Sequence, residues 1–397
     1  MLSQQLIEYG ENASVIRQIF EYAKQRKAQI GAENVFDFSI GNPSVPTPPV
    51  VQETLISLLR NTDPCQLHGY TSSAGDPGVR QALADDLNRR FGAGVRGQDF
   101  YLTAGAAAAL TIALHALLLP GEEVILFSPY FPEYQVFAQA AGAKTVTVPC
   151  RQPDFQPDLA ALEQAITPQT KILLVNSPNN PTGVVLSEAM VKDMSALLQR
   201  KQEEYGHSIY LLSDEPYREL VYDVTCPFFS NYYPNTLVCY SFSKSLSLPG
   251  ERIGYLLVPP QVAEHDRVWA AVCGAGRSLG FVCAPALFQF LLPSCLGQTA
   301  DLSVYRENRS LLYNALVSLG FTLPKPDGAF YLFVQAPGGD ASAFCAKAKE
   351  YELLLVPSDS FSYPGYVRLA YCMDTQQIRR SLPAWQQLAK ACGLGQN

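Results

Sequence analysis

Short apolar runs alternate with longer amphipathic stretches between about residues 100 and 258. The runs have the length of strands and the stretches that of helices, which is typical of a parallel sheet covered by helices. Ligands of such sheets bind beyond the carboxyl ends of the strands, so we expect functional residues just after each run. The predicted strands are 100–103, 124–127, 171–175, 209–213, 237–241 and 253–258, and the predicted helices are 106–119 and 188–204.

A different pattern follows residue 306. A helix through 319 is followed by PKPDGAFYLFV, a helix near 341–351, YVRLAY and a final helix, an order that predicts a smaller α+β unit. The N-terminal stretch offers one predicted helix over 14–31 and a proline-rich loop over 43–49, which do not make a domain. We therefore expect a large domain over 45–290 and a discontinuous small domain formed by 1–44 and 291–397.

Composition narrows the class of protein. The 397 residues are 48% hydrophobic and 16% charged, as in globular enzymes, and the formal net charge of −7 offers no broad basic face for nucleic acid. No apolar run approaches the roughly 20 residues of a membrane span, and no secretory signal opens the chain, so we expect a cytoplasmic location. The four histidines and ten cysteines are scattered without metal-binding spacing, so no metal is expected.

The segment SFSKSLSLPGERIG, residues 241–254, follows a predicted strand and carries an amine beside potential phosphate ligands. Lys244 lies at the strand end, where its amine could do covalent chemistry. Arg252 and the hydroxyls of Ser241 and Ser243 could hold a phosphate dianion, because guanidinium and hydroxyl donors match phosphate oxygens. An amine next to such donors suggests pyridoxal phosphate, although most lysines are simply solvated.

Two other strand ends offer partners for the same cofactor. In IYLLSDEPY, Asp214 ends an apolar strand, where a carboxylate needs a cation such as a protonated pyridine nitrogen. Tyr217 in the same motif and Asn180 in NSPNNPTG could both bind the phenolic oxygen of the cofactor. The alternatives are a helix-capping aspartate with a packed tyrosine, and an ordinary turn rich in Asn, Pro and Gly.

Further candidates lie at two more strand ends. The backbone N–H groups of Gly105, Ala106 and Ala107 open a predicted helix and could bind the phosphate. Phe131 follows another strand and could stack on the pyridine ring. GAGVRG over 92–97 has the letters of a dinucleotide fingerprint, but it follows a helix and precedes a strand, so the order excludes that site.

Five motifs together resemble the aspartate aminotransferase superfamily, the fold type I class I/II pyridoxal-phosphate enzymes. They are GYTSSAGDPGVRQAL, NSPNNPTG, SDEPY, SFSKSLSLPGERIG and YVRLAY, and they stand in the family's order over nearly the whole chain. The resemblance implies a large domain with a mostly parallel seven-stranded sheet between helices, a smaller α+β domain, and a homodimer with shared active sites.

The resemblance also implies a role for each matching residue. Lys244 would form the Schiff base with pyridoxal phosphate and act as the general base, and Asp214 would pair with the pyridine nitrogen. The other matches are Asn180 and Tyr217 to the phenolic oxygen, Ser241 and Arg252 to the phosphate, Phe131 to the ring face, Tyr70 to the neighbouring subunit's phosphate, Arg368 to the substrate carboxylate and Gly41 to the N-terminal segment that closes over substrate.

The implied activity is ping-pong transfer of an amino group between an L-amino acid and a 2-oxo acid, with aspartate, glutamate or alanine as candidate donors. A carbon–sulfur β-lyase remains the alternative, since it uses the same carbanion chemistry. A non-enzymatic regulator on this fold would carry an added DNA-binding domain. Ala107 stands where some aspartate-preferring relatives have a lysine for the distal carboxylate. Arg277, reaching over from the partner subunit, is the candidate for selecting dicarboxylic substrates.

Overall fold

The fold is described from a computed structural model for residues 2–11 and 15–395. The strands are β1 (Phe36–Asp37), β2 (Phe100–Thr103), β3 (Glu123–Ser128), β4 (Lys144–Pro149), β5 (Thr170–Asn176), β6 (Tyr210–Asp214), β7 (Thr236–Ser241), β8 (Gly254–Leu257), β9 (Tyr331–Gln335), β10 (Leu353–Leu354), β11 (Val356–Pro357) and β12 (Tyr366–Ala370). The helices are α1 (Gln4–Glu11), α2 (Val15–Ile30), α3 (Pro49–Asn61), α4 (Pro64–His68), α5 (Pro77–Phe91), α6 (Ala106–Leu117), α7 (Glu133–Ala140), α8 (Leu159–Ala165), α9 (Glu188–Tyr205), α10 (Phe242–Ser245), α11 (His265–Ser278), α12 (Ala286–Cys295), α13 (Leu302–Ser318), α14 (Ala341–Lys349) and α15 (Thr375–Ala391).

Seven strands form the central sheet in the order β2-β8-β7-β6-β5-β3-β4. Their pairing is parallel except at β8, which runs antiparallel to both of its neighbours. The predicted fold of a mostly parallel seven-stranded sheet is confirmed. The apolar runs predicted all of these strands except β4 and carried no information on the direction of β8.

Helices cover both faces of this sheet. Along β3, Val124 and Leu126 pack into the cluster on one face, whereas Ile125 and Phe127 pack into the cluster on the other. Because both faces are buried, the central strands are continuously apolar instead of alternating with polar residues. β4 lies at the sheet edge and is largely exposed, which explains why its sequence KTVTVP lacks an apolar run.

The C-terminal part forms a smaller unit around the antiparallel sheet β11-β12-β9 and α13, α14 and α15. The N-terminal stretch joins it, since β1 pairs in parallel with β10 through Phe36 and Leu353. The helix predicted over 14–31 corresponds to α2, which begins at Val15, and position 14 lies outside the described residues. The sequence did not predict α1, which precedes it. The limits 45–290 and 1–44 with 291–397 stay a prediction, which the pairing of β1 with β10 supports.

No helix among residues 2–11 and 15–395 is both long and apolar enough to cross a membrane.

Candidate active site

The carboxyl ends of the central strands and the first turn of α6 open into one cleft of about 930 Å³, counting the space open to solvent. Its walls come from both the large sheet and the smaller unit. Predicted residues that line it are Gly41, Ala106, Ala107, Phe131, Asn180, Asp214, Tyr217, Ser241, Ser243, Lys244, Arg252 and Arg368. The fold therefore gathers these predicted residues in one place.

Lys244 reaches this cleft from α10, the short helical turn that follows β7. Its Nζ donates a hydrogen bond of 2.7 Å to the carbonyl oxygen of Gly41 and lies 5.4 Å from the centre of the Phe330 ring. Burial lowers the pKa of Lys244 to about 8, and the nearby cations Arg368 and Arg252 act in the same direction. A substantial fraction of this amine is therefore neutral near pH 8.

Asp214 ends β6 and is almost fully buried. Its Oδ2 accepts a hydrogen bond of 2.5 Å from the Tyr134 hydroxyl, while Oδ1 is buried and has no hydrogen-bond partner among the described residues. Burial raises the pKa of the carboxyl to about 7, and the Tyr134 hydrogen bond opposes this rise. An orphaned buried carboxylate oxygen facing a cleft suits a cationic N–H group, as the ring nitrogen of pyridoxal phosphate would supply.

Groups that suit an anion meet where α6 begins. Gly105 caps α6 with φ +82°, and a Cβ there would stand 2.6 Å from Nη2 of Arg252, so glycine lets the guanidinium approach the helix start. Nη1 of Arg252 lies 3.4 Å from the hydroxyl of Ser243, and Ser241 is buried beside it. Helix N–H groups, hydroxyls and a guanidinium together form an anion site.

Asn180 and Tyr217 line the same cleft. The hydroxyl of Tyr217 is 2.9 Å from that of Tyr331, and Oδ1 of Asn180 accepts a hydrogen bond of 3.1 Å from Nη1 of Arg368. The backbone N–H of Asn180 donates to Oδ1 of Asn176. The Nδ2 group of Asn176 in turn donates to the backbone carbonyl of Asp214. Asn176 thus connects the loop that carries Asn180 to the strand that carries Asp214.

Arg368 is a buried cation in β12. Nη2 donates 2.5 Å to the Ser39 carbonyl, and its guanidinium lies 4.8 Å from the centre of the Tyr331 ring. Nε is buried and has no hydrogen-bond partner among the described residues. Burial lowers the pKa of Arg368, but an arginine stays charged at neutral pH, so the site is prepared for a carboxylate.

Comparison with known proteins decides the family. The model of the family "Aminotransferase class I and II" matches residues 33–384. The chain belongs to this family. It is 31% identical over 362 residues to a probable N-acetyl-LL-diaminopimelate aminotransferase of Bacillus subtilis, covering 88% of each chain. It is likewise 31% identical to an aspartate aminotransferase of Thermotoga maritima, covering 88% of this chain and 90% of that one.

Solved structures agree with this assignment. An amino transferase from Eubacterium rectale superposes with a TM-score of 0.97 at 50% identity, covering 98% of this chain and 99% of the other. The aspartate aminotransferase of Thermus thermophilus with maleate superposes with a TM-score of 0.86 at 28% identity over the same shares. This aminotransferase therefore uses pyridoxal phosphate to move an amino group between an amino acid and a 2-oxo acid, and the β-lyase alternative is not favoured.

Two predicted residues lie away from the cleft of their own chain. Tyr70 is fully exposed, and Arg277 is exposed near the end of α11. Neither lines the cleft. The sequence analysis placed both in the partner's active site, so their roles in this aminotransferase stay predictions.

The sequence analysis missed several residues that shape the site of this aminotransferase. Tyr134 comes from FSPYFPEY, three residues after Phe131, and Asn176 opens the NSPNNPTG motif. Phe330 and Tyr331 come from GAFYLFV in the smaller unit, where the apolar strand pattern gave no sign of a role in the site. No group of metal-binding side chains is found within 2–11 and 15–395.

Proposed function

We propose that this aminotransferase acts on L-amino acids in the cleft between Lys244, Asp214 and Arg368 by a ping-pong mechanism. The observation that carries the proposal is that one cleft holds both a partly neutral buried amine and a buried carboxylate oxygen without a hydrogen-bond partner among the described residues. Bound pyridoxal phosphate would supply an aldehyde for the amine and an electron sink for the α-carbanion of the substrate.

Lys244 has two tasks in this proposal. Its Nζ would hold the cofactor covalently, and as a free amine it would accept the α-proton of the bound substrate and deliver it to the cofactor carbon. A pKa of about 8 suits both tasks, because the amine can be neutral to accept a proton and charged to give it back near neutral pH. Its partial burial also limits competition from water.

Asp214 and Tyr217 act on the cofactor ring in this proposal. The Oδ1 oxygen of Asp214, which has no partner among the described residues, would accept the ring N–H and keep that nitrogen protonated. Tyr217 and Asn180 bind the phenolic oxygen. Phe131 borders the cleft beside Tyr134, with ring centres 5.6 Å apart, and gives the ring an apolar face.

Residues at the start of α6 and around α10 would hold the phosphate in this proposal. Arg252, Ser241 and Ser243 contribute charged and hydroxyl donors, and Gly105, Ala106 and Ala107 contribute backbone N–H groups. Because the loop reads Gly-Ala-Ala without a hydroxyl side chain, the backbone carries a larger share of the binding here.

Arg368 binds the α-carboxylate of the substrate in this proposal. Its Nε is the donor without a partner, so one carboxylate oxygen can bind there while the second oxygen meets Nη2, on the same edge of the guanidinium, in a two-pronged pair. Gly41 carries the segment that closes over the substrate, and its carbonyl already contacts Lys244.

The identity of the amino donor is a separate part of the proposal. The relatives named above act on aspartate and on N-acetyl-LL-diaminopimelate, and aspartate, glutamate or alanine are the donors proposed here. Arg277 from a partner subunit would bind a distal carboxylate. If Arg277→Ala leaves the ratio of aspartate to alanine activity unchanged, this part of the proposal fails.

A homodimer with shared active sites and a cytoplasmic location complete the proposal. Tyr70 is fully exposed in one chain, as expected of a side chain that reaches a neighbouring phosphate. Mixing Lys244→Ala chains with Tyr70→Ala chains tests the sharing, because one site in each mixed dimer then has both wild-type residues. Recovery of activity on mixing supports shared sites. If mixing restores no activity, the sites are not shared in this way.

One experiment tests the activity itself. Purified wild-type protein should bind pyridoxal phosphate as a yellow species that borohydride fixes on the peptide containing Lys244, and Lys244→Ala should not. Amino donors are then screened against 2-oxoglutarate, oxaloacetate and pyruvate. Transfer that requires a 2-oxo acid supports the proposal, whereas release of pyruvate and thiol from cystathionine without an acceptor would support the lyase.

A further inference from the structure

The turn that carries Lys244 separates two cavities. Ser243 and Lys244 line the active-site cleft, whereas Phe242 and Ser245 line a second cavity of about 1040 Å³, counting the space open to solvent. Phe242, at the start of α10, packs into the core beside Tyr240 and Tyr255. Ser245, at the other end of the turn, borders the second cavity, so hydrogen bonds as well as packing fix the position of the turn there.

Ser245 supplies those hydrogen bonds. Its carbonyl oxygen accepts 2.7 Å from the backbone N–H of Ala300, and its hydroxyl is hydrogen-bonded at 2.9 Å to the hydroxyl of Tyr240. The Tyr240 hydroxyl also contacts Oε2 of Glu219 at 2.7 Å. An ionised carboxylate only accepts, so Tyr240 donates its proton to Glu219 and accepts one from Ser245.

The ring of Tyr240 is held on several sides. It stacks on Tyr255 with ring centres 5.1 Å apart and meets the edge of Phe242 at 5.0 Å. The guanidinium of Arg218 lies 4.5 Å from the ring centre. Burial raises the pKa of Tyr240 well above 10, so its hydroxyl remains a donor at every pH of interest.

Glu219 connects these hydrogen bonds to the end of β6, the strand that carries Asp214. Its Oε1 accepts 3.0 Å from Nη2 of Arg90 and 3.4 Å from Nε of Arg218. Arg218 also donates 2.8 Å to Glu215, the residue directly after Asp214. Although burial opposes it, the two guanidinium groups lower the pKa of Glu219, which therefore stays ionised.

We propose that Tyr240 is a positioning residue that holds the Lys244 amine in register with Asp214, through Ser245 on one side and Glu219 on the other. Tyr240 does not line the active-site cleft and acts only through the turn. The inference rests on the proposed role of Lys244, and it adds a residue outside the cleft to that mechanism.

The substitution Tyr240→Phe keeps the ring and removes the link to Ser245. The turn can then shift toward the second cavity, so the amine loses its hydrogen bond to the Gly41 carbonyl and the burial that lowers its pKa. Greater hydration favours the charged amine, so its titration midpoint in the cofactor-free full chain rises by about 0.5 to 1 unit. In the loaded enzyme kcat falls about 10-fold while KM changes little, since misplacement affects chemistry more than binding.

The midpoint is measured by competitive acetylation of the cofactor-free chain over a pH series, with the Lys244 peptide quantified by mass spectrometry. Tyr233→Phe is the matched control, because Tyr233 is equally buried and donates to the Ile209 carbonyl away from the site. We expect the control to lower the melting temperature like Tyr240→Phe without moving the Lys244 midpoint. Ser245→Ala cuts the same link from the other side and should move it as well.

Unchanged midpoints in Tyr240→Phe and Ser245→Ala overturn the proposal, as does an equal shift in Tyr233→Phe. Should Tyr240→Phe not fold, Ser245→Ala decides alone. The outcome is separable from the proposed function, because borohydride labelling of wild type at a lysine other than Lys244 would refute the role of Lys244 without any of these variants.

Discussion

The hydroxyl of Tyr134 donates a hydrogen bond of 2.5 Å to Oδ2 of Asp214, and both side chains are buried. Burial raises the pKa of Asp214 to about 7 and that of Tyr134 well above 10, so the tyrosine is always the donor. This bond favours the ionised carboxylate against the effect of burial, and it leaves Oδ1 available to the cofactor.

We expect Tyr134→Phe to weaken pyridoxal phosphate binding. Loss of the bond raises the pKa of Asp214 further, so less of the carboxylate is charged at neutral pH. A lost hydrogen bond to a buried charged group costs about 1–3 kcal/mol, which corresponds to a Kd increase of about 5- to 150-fold. Equilibrium dialysis of the cofactor-free chain measures it.

Tyr101→Phe serves as the control for this prediction. The Tyr101 hydroxyl donates 3.0 Å to the Phe281 carbonyl, and the residue is as buried as Tyr134 but does not line the cleft. We expect it to leave the Kd within about 2-fold of wild type, since an equivalent lost hydrogen bond there lowers stability alone. Equal Kd values for Tyr134→Phe and wild type would contradict the proposed link to Asp214.

The sequence predicted the strands of the large sheet because burial on both faces makes them apolar without interruption. It missed β4, an edge strand in which only Val148 is fully buried. It could not give the direction of β8, since the same apolar run fits a strand of either direction.

For the same reason, the sequence predicted the cleft residues that follow the strands of one sheet. Lys244, Asp214 and Asn180 each follow an apolar run whose end must lie near the others. Tyr331 lies in the smaller unit and meets Tyr217 only through the packing of that unit on the sheet. Such contacts between distant segments leave no local pattern along the chain.

Asp214→Asn should change the pH dependence of stability in the cofactor-free chain. The folded carboxyl has a pKa of about 7 against an ordinary value of 3.8, so the native state binds more protons than the unfolded state between these pH values. Stability is therefore lost as pH rises through this window, by up to about 1.4 kcal/mol per pH unit. Asparagine does not titrate and removes this slope.

Urea denaturation at pH 5 and at pH 8 measures this effect. We expect the stability of Asp214→Asn relative to wild type to increase from pH 5 to pH 8, whereas its affinity for pyridoxal phosphate falls. Glu163→Gln is the control, because Glu163 pairs with Arg200 at the surface and should leave the slope unchanged. Parallel wild-type and Asp214→Asn curves would show that Asp214 is ionised throughout.

Arg368→Lys should impair substrate binding while sparing the cofactor. Lysine cannot form a two-pronged pair with a carboxylate, and its ammonium cannot replace the contacts of the guanidinium with Asn180 and Ser39. We expect a loss in kcat/KM of about 2–4 kcal/mol, or about 30- to 900-fold, most of it in KM. Steady-state kinetics with the best amino donor measures it, and the yellow absorbance reports the cofactor.

Arg309→Lys is the matched control for Arg368→Lys. Arg309 is also buried, and it donates to the Pro326 carbonyl and to Asp223 in the smaller unit, away from the cleft. It should lower the melting temperature without raising KM. A KM for Arg368→Lys no higher than that of the control would remove Arg368 from carboxylate binding.

Gly41→Ala should displace the segment that contacts Lys244. A Cβ at position 41 would lie 2.1 Å from the hydroxyl oxygen of Tyr331, closer than atoms can approach, and 3.1 Å from a ring carbon of Phe330, which is a tight contact. Either the segment or the tyrosine must move, and the Gly41 carbonyl that accepts from Lys244 moves with the segment. Overpacking of this kind costs about 1–3 kcal/mol of stability, and we expect kcat to fall about 10-fold or more.

Two further variants show whether this steric contact is the cause. Gly10→Ala adds a methyl group on exposed α1 with no neighbouring atom within 4 Å, so it should leave kcat unchanged. In Gly41→Ala/Tyr331→Phe the closest atom is absent and the next, Cζ, lies 3.0 Å away, so part of the lost stability and activity should return. The loss of stability and kcat that Gly41→Ala causes is compared in wild type and in Tyr331→Phe. An equal loss in both backgrounds would mean that the backbone of this segment, and not the tyrosine hydroxyl, excludes the methyl group.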